Sequence, residues 1–237
     1  MYWAQRVVAA KDNADFASHL TLLCNAGDDA RWGIARLLNH QDAALRQAGV
    51  VALQNSRGAW SRGQLVGLLR DADDETADLA AAGLAIRRRE FSTAEIRRLF
   101  TSAPDAVGDR VLYALGRAAL PGDDSLIAEY SAHARSAATA VEAIDALSNY
   151  RTQIAVAGLM KALHDQRVVS GTTVAERIAG RAWSGAGPAT SFSVVAPSKT
   201  PAYRAAVALG RLTGMAASDP ESPTSDECAA WAAWAPR

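Results

Sequence analysis

The side chains that most often carry catalysis or bind metals are sparse in this sequence. The histidines are His19, His40, His133 and His164, and the cysteines are Cys24 and Cys228. No two histidines lie four residues apart on a helix, and the cysteines are too distant from each other for a zinc motif. The segment around Ser184 also lacks the Gly-x-Ser-x-Gly pattern of a serine nucleophile. We therefore predict no catalytic residue, no metal site and no cofactor.

The charges of the chain balance, with 25 basic and 25 acidic side chains among 237 residues. A net charge of zero gives no electrostatic reason to expect nucleic acid or an anionic membrane as a partner. No apolar run approaches the roughly 20 residues of a membrane-spanning helix, and the first residues do not form a signal-peptide core. Two lone cysteines fit a reducing compartment. We expect a cytoplasmic protein with no membrane segment.

The elements that would position any site come from a repeat of 31 residues. Three segments align without a gap, namely Leu37–Leu53, Leu68–Leu84 and Leu99–Leu115. In each, two apolar residues precede a polar stretch with an aspartate, and an alanine-rich stretch follows. Apolar steps of three, four and seven residues place these side chains on one helix face, and Asp42, Asp73 and Asp105 lie where a second helix needs its N-cap. Each unit is predicted to be a helical hairpin whose alanines allow close helix packing.

The sequence LLRDADDETADLAAAGLAI, residues 68–86, resembles the HEAT repeat, in the short bacterial form found in phycobilin-lyase-like HEAT proteins. The resemblance implies an all-α fold, a right-handed α-solenoid of about six HEAT-type helical hairpins in a single domain spanning residues 1–237. The repeats are in phase over residues 1–165, and a fifth unit continues through Thr172 to Ile178. The arginine that usually follows the turn is present at Arg46 and Arg204, but Ala77 and Gly108 replace it in the middle units.

The first departure from the repeat is the segment 183–200, which is rich in serine, proline and glycine. This composition predicts a loop inserted into a helical hairpin. Loops of this length are usually either binding elements or passive insertions, and both interpretations stay open. If the loop binds a partner, the candidate contact residues are Trp183, Phe192, Val194 and Val195.

The second departure, residues 201–237, is predicted to contain the terminal helices and a cap. Gly214 has the position of a helix stop, and Ser225 is the predicted N-cap of the last helix. Trp231 and Trp234 lie three residues apart on that helix. Two tryptophans at this spacing indicate a cap over the apolar side of the last repeat, which an array of repeats needs to stay soluble.

Arginines recur at the ends of successive second helices, for example at Arg57 and at Arg87 to Arg89. Cations there interact favourably with the helix dipole by about 0.3–1 kcal/mol each, which is a sufficient explanation. The alternative is a basic strip that binds an acidic partner.

The resemblance to HEAT proteins implies a non-catalytic scaffold that binds a protein or peptide on a concave face lined by second helices. The side chains predicted to point outward there have mixed charge, and they are Arg46, Gln47, Val50, Asp78, Arg110, Glu142, Asp145 and Asn149. One alternative, carried by the resemblance alone, is a lyase-like enzyme or enzyme accessory acting on a chromophore or protein substrate. The second alternative is nucleic-acid binding, as in the HEAT-like DNA glycosylases.

Overall fold

A computed structural model of the chain describes residues 2–101, 105–169, 172–180 and 200–235. Over these ranges the chain forms fourteen α helices and two short 3-10 helices, and it contains no strand. The predicted all-α class is therefore confirmed. Within the same ranges, no helix combines the length and the apolar character needed to cross a membrane. The predicted loop residues Trp183, Phe192, Val194 and Val195 lie outside the described part of the chain.

The first of two compact units extends to Glu90. Its helices are α1 (Tyr2–Val8), α2 (Asn13–Ala26), α3 (Arg31–Leu38), α4 (Ala43–Leu53), α5 (Ala59–Leu68) and α6 (Asp74–Ile86). Consecutive helices pack in pairs, α1 with α2, α3 with α4 and α5 with α6, and the second helices also pack on one another, α2 on α4 and α4 on α6. These pairs coincide with the hairpins that the repeat predicts.

Two of the predicted aspartate caps lie in this unit. The Asp42 carboxylate accepts from the Ala44 backbone N–H at 2.9 Å, and the Asp73 carboxylate accepts from the Thr76 N–H at 2.8 Å. Each satisfies an N–H group that has no partner inside the helix, which fixes where the second helix of the pair begins.

The second unit begins at Phe91. Its helices are α7 (Thr93–Thr101), α8 (Asp105–Ala118), α9 (Asp123–Ser131), α10 (Ala137–Leu147), α11 (Gln153–Ala162), α12 (Val174–Gly180), α13 (Pro201–Thr213) and α14 (Ser225–Ala232). Asp105, the third aspartate expected at an N-cap, is the first residue of α8. Helix α7 pairs with α8, and α9 pairs with α10. Along the second helices, α8 packs on α10 and α10 on α13. The approach of α8 to α10 is close, because a Cβ at Gly116 would lie 2.6 Å from Ala146 Cα.

The partner of α11 is α13 rather than α12. The expectation that a fifth repeat continues through Thr172 to Ile178 is therefore wrong. Helix α13 has a long apolar stripe that is buried through Ala205 and Leu209, whereas α12 is a short helix that contacts α8. The Ala202 N–H donates to the Asp165 carbonyl at 3.0 Å, so the chain leaves the hairpin after Asp165 and rejoins it at α13. We call the segment between Asp165 and Ala202 the excursion, and it is longer than the predicted loop 183–200.

The end of the chain contains helices α13 and α14, and one of their predicted boundaries needs a correction. Gly214 terminates α13 in the left-handed conformation, with φ of 76°, as expected. The N-cap of α14 is Thr224 instead of Ser225, because Thr224 and Glu227 form a reciprocal capping box. Trp231 is completely buried, its indole N–H donates to the Met215 carbonyl at 2.7 Å, and α14 packs on α11. Trp234 is only partly buried.

Candidate functional site

Arg46 and Gln47 connect adjacent hairpins of the first unit instead of extending into solvent. The Arg46 guanidinium donates to both carboxylate oxygens of Asp71 at 3.0 and 2.9 Å, and these hydrogen bonds raise the pKa of Arg46. The Gln47 amide donates to Asp73 Oδ2 at 3.1 Å. Both acceptors lie in the turn of the next hairpin. These two side chains therefore join the turns of neighbouring repeats.

Four of the side chains predicted to face outward are buried, namely Val50, Asp78 and Arg110, described here, and Glu142, described below. Val50 and Asp78 have no exposed surface, and Arg110 is 4% exposed. Asp78 and Arg110 are buried because each lies one residue away from the more exposed stripe of its helix. The more exposed stripe of α6 runs through Leu79 and Ile86, and one residue along a helix is a rotation of about 100°.

On α8 the same rule applies, since its more exposed stripe runs through Ala106, Asp109, Tyr113 and Arg117. Arg110 is again one residue away from it. The side chain that the second-helix surface presents here is therefore Asp109, which the sequence analysis did not single out.

Glu142 and Asp145 of α10 and Asn149, in the turn just after α10, are spaced by three and four residues and continue one stripe. Asn149 is exposed, and Asp145 is half-buried. Glu142 is nevertheless only 2% exposed, which contradicts the predicted exposure. Its cover is the start of α12, since the backbone N–H of Val174 donates to Glu142 Oε2 at 2.8 Å. Thr173 and Val174 are themselves buried at this contact.

Burial raises the pKa of Glu142 to about 8, and the nearby carboxylates of Asp145 and Asp109 add to the shift. The Val174 N–H and the Arg177 charge act in the opposite direction but do not cancel it. At neutral pH the Glu142 carboxyl is therefore mainly protonated. In this neutral form Glu142 still accepts the hydrogen bond from the Val174 N–H. Protonation also avoids the repulsion that a Glu142 anion would have with the carboxylates of Asp145 and Asp109.

Arg204 of α13 links α10 to α12. Its Nη1 lies 3.1 Å from Asp145 Oδ2, and its Nη2 pairs with Glu176 Oε1. Burial opposes ionisation of Glu176, yet hydrogen bonds from Arg204 and from Thr173 hold its pKa below the usual value. The second Glu176 oxygen accepts from the Thr173 N–H at 2.9 Å, and the Thr173 hydroxyl accepts from the Glu176 N–H at 3.1 Å. Thr173 and Glu176 thus form a capping box at the start of α12.

Asp109 completes the acidic lining under α12. Burial raises the pKa of its carboxyl, partly offset by a hydrogen bond with Thr139. Its Oδ1 is buried and has no hydrogen-bond partner among the described residues. We call the surface formed by Asp109, Glu142, Asp145 and Arg204 the α12 site.

The sequence contained one usable signal for this arrangement. The Thr-x-x-Glu spacing of Thr173 and Glu176 is that of a capping box, which marks a helix start at Val174. Arg204 was noted as the arginine that usually follows the turn of a repeat. Nothing in the residue pattern reveals that α12 covers α10, because that contact depends on how the excursion folds back.

A separate group of arginines in the first unit contains Arg57, between α4 and α5, and Arg87, at the end of α6. Arg87 is 1% exposed and binds the Glu90 carboxylate, to which Arg57 Nη1 also donates at 2.7 Å. These hydrogen bonds lower the pKa of Glu90. Arg57 and Arg87 therefore converge on one carboxylate.

The described residues contain no cluster of histidine, cysteine and carboxylate side chains that could hold a metal ion. Burial raises the pKa of the Cys24 thiol, which reduces its thiolate fraction and so its nucleophilicity. The polar side chains of the α12 site instead form hydrogen bonds and ion pairs with the helical segment α12.

No protein-family model matches the chain, and no curated protein matches it.

Proposed function

We propose that the chain is a non-catalytic cytoplasmic scaffold of HEAT-type hairpins, about six in number and stacked as a right-handed solenoid, that binds a protein or peptide through its second helices. The proposal is supported by the paired helices of each unit, by the packing of second helix on second helix and by the aspartate caps at the turns. Each hairpin buries only part of its apolar surface alone, so stacking of neighbours is the expected arrangement.

One observation carries the binding function. The second-helix surface of α8, α10 and α13 binds a short helical segment of the same chain, by the hydrogen bond of Glu142 to the backbone and by the ion pair of Arg204 with Glu176. A surface that binds a helix through backbone and charge contacts has the chemistry to bind a peptide or protein helix.

The experiment is site-specific photo-crosslinking in host cells. A photoreactive residue is introduced at Asn149 or at Arg211, which are exposed positions beside Asp145 on the second-helix side. Matched control positions are Glu129 of α9 and Lys161 of α11, which are exposed on first helices. We expect the same partner to be captured from Asn149 and Arg211 and not from the controls.

The captured protein is then purified and its affinity measured by calorimetry. Replacing Asp145→Asn is expected to change the dissociation constant by roughly tenfold, as for a charged hydrogen bond in an interface. Capture from all four positions alike, or binding unaffected by the Asp145 change, would reject the second-helix surface as the binding site.

A further inference from the structure

We propose that the α12 site is a recognition site for the start of a partner helix, and that α12 occupies it as a displaceable internal ligand. The inference rests on the proposed scaffold function and specifies the class of partner. That partner is a peptide helix with serine or threonine at its N-cap, a small apolar residue next and glutamate at the third helical position, as in Thr173-Val174-Ala175-Glu176.

The contact with Glu142 recognises a backbone group. Val174 donates its N–H to Glu142 Oε2, so any residue except proline can supply this hydrogen bond. The requirement at the same position is for a small apolar side chain, because Val174 is 1% exposed. The preceding residue, Thr173, is buried as well and supplies the hydroxyl of the capping box.

The contact with Arg204 recognises a side chain. Arg204 is held on one side by Asp145 of α10 and on the other by Glu176 of α12. A partner helix with glutamate at the third position would place a carboxylate where Glu176 now lies. A partner with lysine there would bring two cations together, so this position discriminates between peptides by charge.

Helix α12 is suited to leave the site because the surrounding fold is closed without it. Asp165 and Ala202 are joined by a backbone hydrogen bond, and α11 packs directly on α13. Release of α12 therefore does not open that hairpin. A helix of seven residues is also well below the roughly 12–15 residues that hold helical structure in isolation, so α12 depends on its contacts with the site.

The test uses the full chain and a fluorescent synthetic peptide with the sequence of residues 172–180. In the chain, Thr173→Ala combined with Glu176→Gln weakens the internal ligand and leaves α8, α10 and α13 unchanged. We expect this double variant to bind the peptide at least about tenfold more tightly than the unaltered chain does, by fluorescence anisotropy. A peptide that carries the same two substitutions is the matched control and is expected to bind about tenfold more weakly.

Two further substitutions in the double variant locate the binding. Arg204→Gln is expected to abolish peptide binding. Arg97→Gln removes an exposed ion pair with Glu129 in the same unit and is expected to leave it unchanged. Equal binding of the two peptides, or binding that survives Arg204→Gln, overturns the proposal.

Hydrogen exchange on the unaltered chain provides a measurement that does not require any variant to fold. The Val174 amide is expected to exchange faster than the Ile144 amide of α10, and excess peptide is expected to speed its exchange further. If Val174 exchanges only together with α10, α12 is a permanent part of the fold and the proposal is wrong. If Val174 exchanges only with α10 but a partner is still captured specifically from Asn149, the displacement of α12 is rejected and the scaffold function is kept. If no partner is captured from Asn149 or Arg211, the scaffold function is rejected.

Discussion

The turn between α5 and α6 and the surface of α8, α10 and α13 use the same kinds of polar residue for different purposes. In the first unit, Arg46 follows the turn and pairs with Asp71 in the next turn. In the second unit, Gly108 replaces that arginine, and the acidic side chains of the second helices face α12 instead. Arg204 is the second arginine that follows a repeat turn, and it pairs with Asp145 of α10 and Glu176 of α12. The same residue type thus connects neighbouring repeats in the first unit and binds a helical segment in the second.

The replacement at Gly108 has a direct packing cause. A Cβ there would lie 2.1 Å from the Tyr130 hydroxyl oxygen, and the Tyr130 ring stacks on Phe100 with centroids 4.3 Å apart. Tyr130 therefore occupies the space in which an arginine side chain would begin. The second unit exchanges an ion pair for an aromatic contact at this position.

The largest expected effect is on the contact of α8 with α10. Gly116→Val is expected to reduce the free energy of unfolding by about 3 kcal/mol, because the new side chain meets the α10 backbone at Ala146, which has little freedom to move. The measurement is the urea midpoint at constant m-value. A loss below about 1 kcal/mol would show that α10 moves away from the new side chain at little cost. The close packing of α8 on α10 would then not be a rigid support for the α12 site.

The next effect concerns the pH dependence of stability. The folded state holds a proton on Glu142 up to a pKa of about 8, whereas the ordinary value is 4.5. Between these two values the folded state binds more protons than the unfolded state, so this group makes stability fall as pH rises through that window. Glu142→Gln is expected to flatten the fall and to gain on the order of 2–3 kcal/mol at pH 8 relative to the unaltered chain.

This change is followed by urea unfolding at intervals from pH 5 to 9. The exposed Glu221→Gln is the matched control and is expected to leave the pH profile of the unaltered chain in place. If Glu142→Gln leaves the pH profile unchanged, Glu142 is ionised under α12. The second unit would then hold charged groups at this surface, as the first unit does at Arg46 and Asp71.

A smaller effect is expected for the ion pair of the first unit. A double-mutant cycle on Arg46→Ala and Asp71→Ala should give a coupling free energy of about 1 kcal/mol, because the pair is bidentate and partly buried. The coupling should decrease in 1 M salt. The pair of Arg97 and Glu129 in the second unit is more than half exposed on both sides and is expected to couple by only about 0.3 kcal/mol. Equal couplings would contradict the role of the turn ion pair as a connection between repeats.

The smallest effect is a gain in stability in α5. A Cβ at Gly63 would meet no atom within 4 Å, in contrast to Gly116. Gly63→Ala is expected to raise the free energy of unfolding by about 0.5–1 kcal/mol, since alanine loses less conformational entropy in a helix. The change in the free energy of unfolding is measured in urea at neutral pH. A loss of stability would show that the Gly63 backbone makes a close contact that a Cβ disturbs.

The helices and their starts were predictable because local rules decide them. The 3.6-residue period of apolar side chains and the aspartate caps at Asp42 and Asp73 do not depend on distant contacts. The one cap that was misplaced, Ser225 for Thr224, involves two adjacent residues that both suit an N-cap. Glu227, three residues after Thr224, distinguishes them because it completes the capping box.

The candidate site was predictable only in part. The stripe of Glu142, Asp145 and Asn149 has the helical phase of a second-helix surface, but Asp78 and Arg110 were each assigned one residue from the more exposed stripe of their helix. The burial of Glu142 was not predictable, because its cover comes from a segment about 30 residues later in the chain. Contacts of that kind depend on the path of the excursion, for which a repeat pattern contains no information.

The hydrogen bond between Asp165 and Ala202 has a consequence for how such a protein evolves. Because the two ends of the excursion meet, insertions or deletions between them that leave α12 intact change the entropy of closing a loop, by about 0.6 kcal/mol for each doubling of its length, and do not disturb the packing of α11 on α13. The helical scaffold and the segment it carries are therefore free to change at separate rates. We expect natural variation in length and composition to concentrate between these two residues, where new binding specificities can arise without loss of the supporting fold.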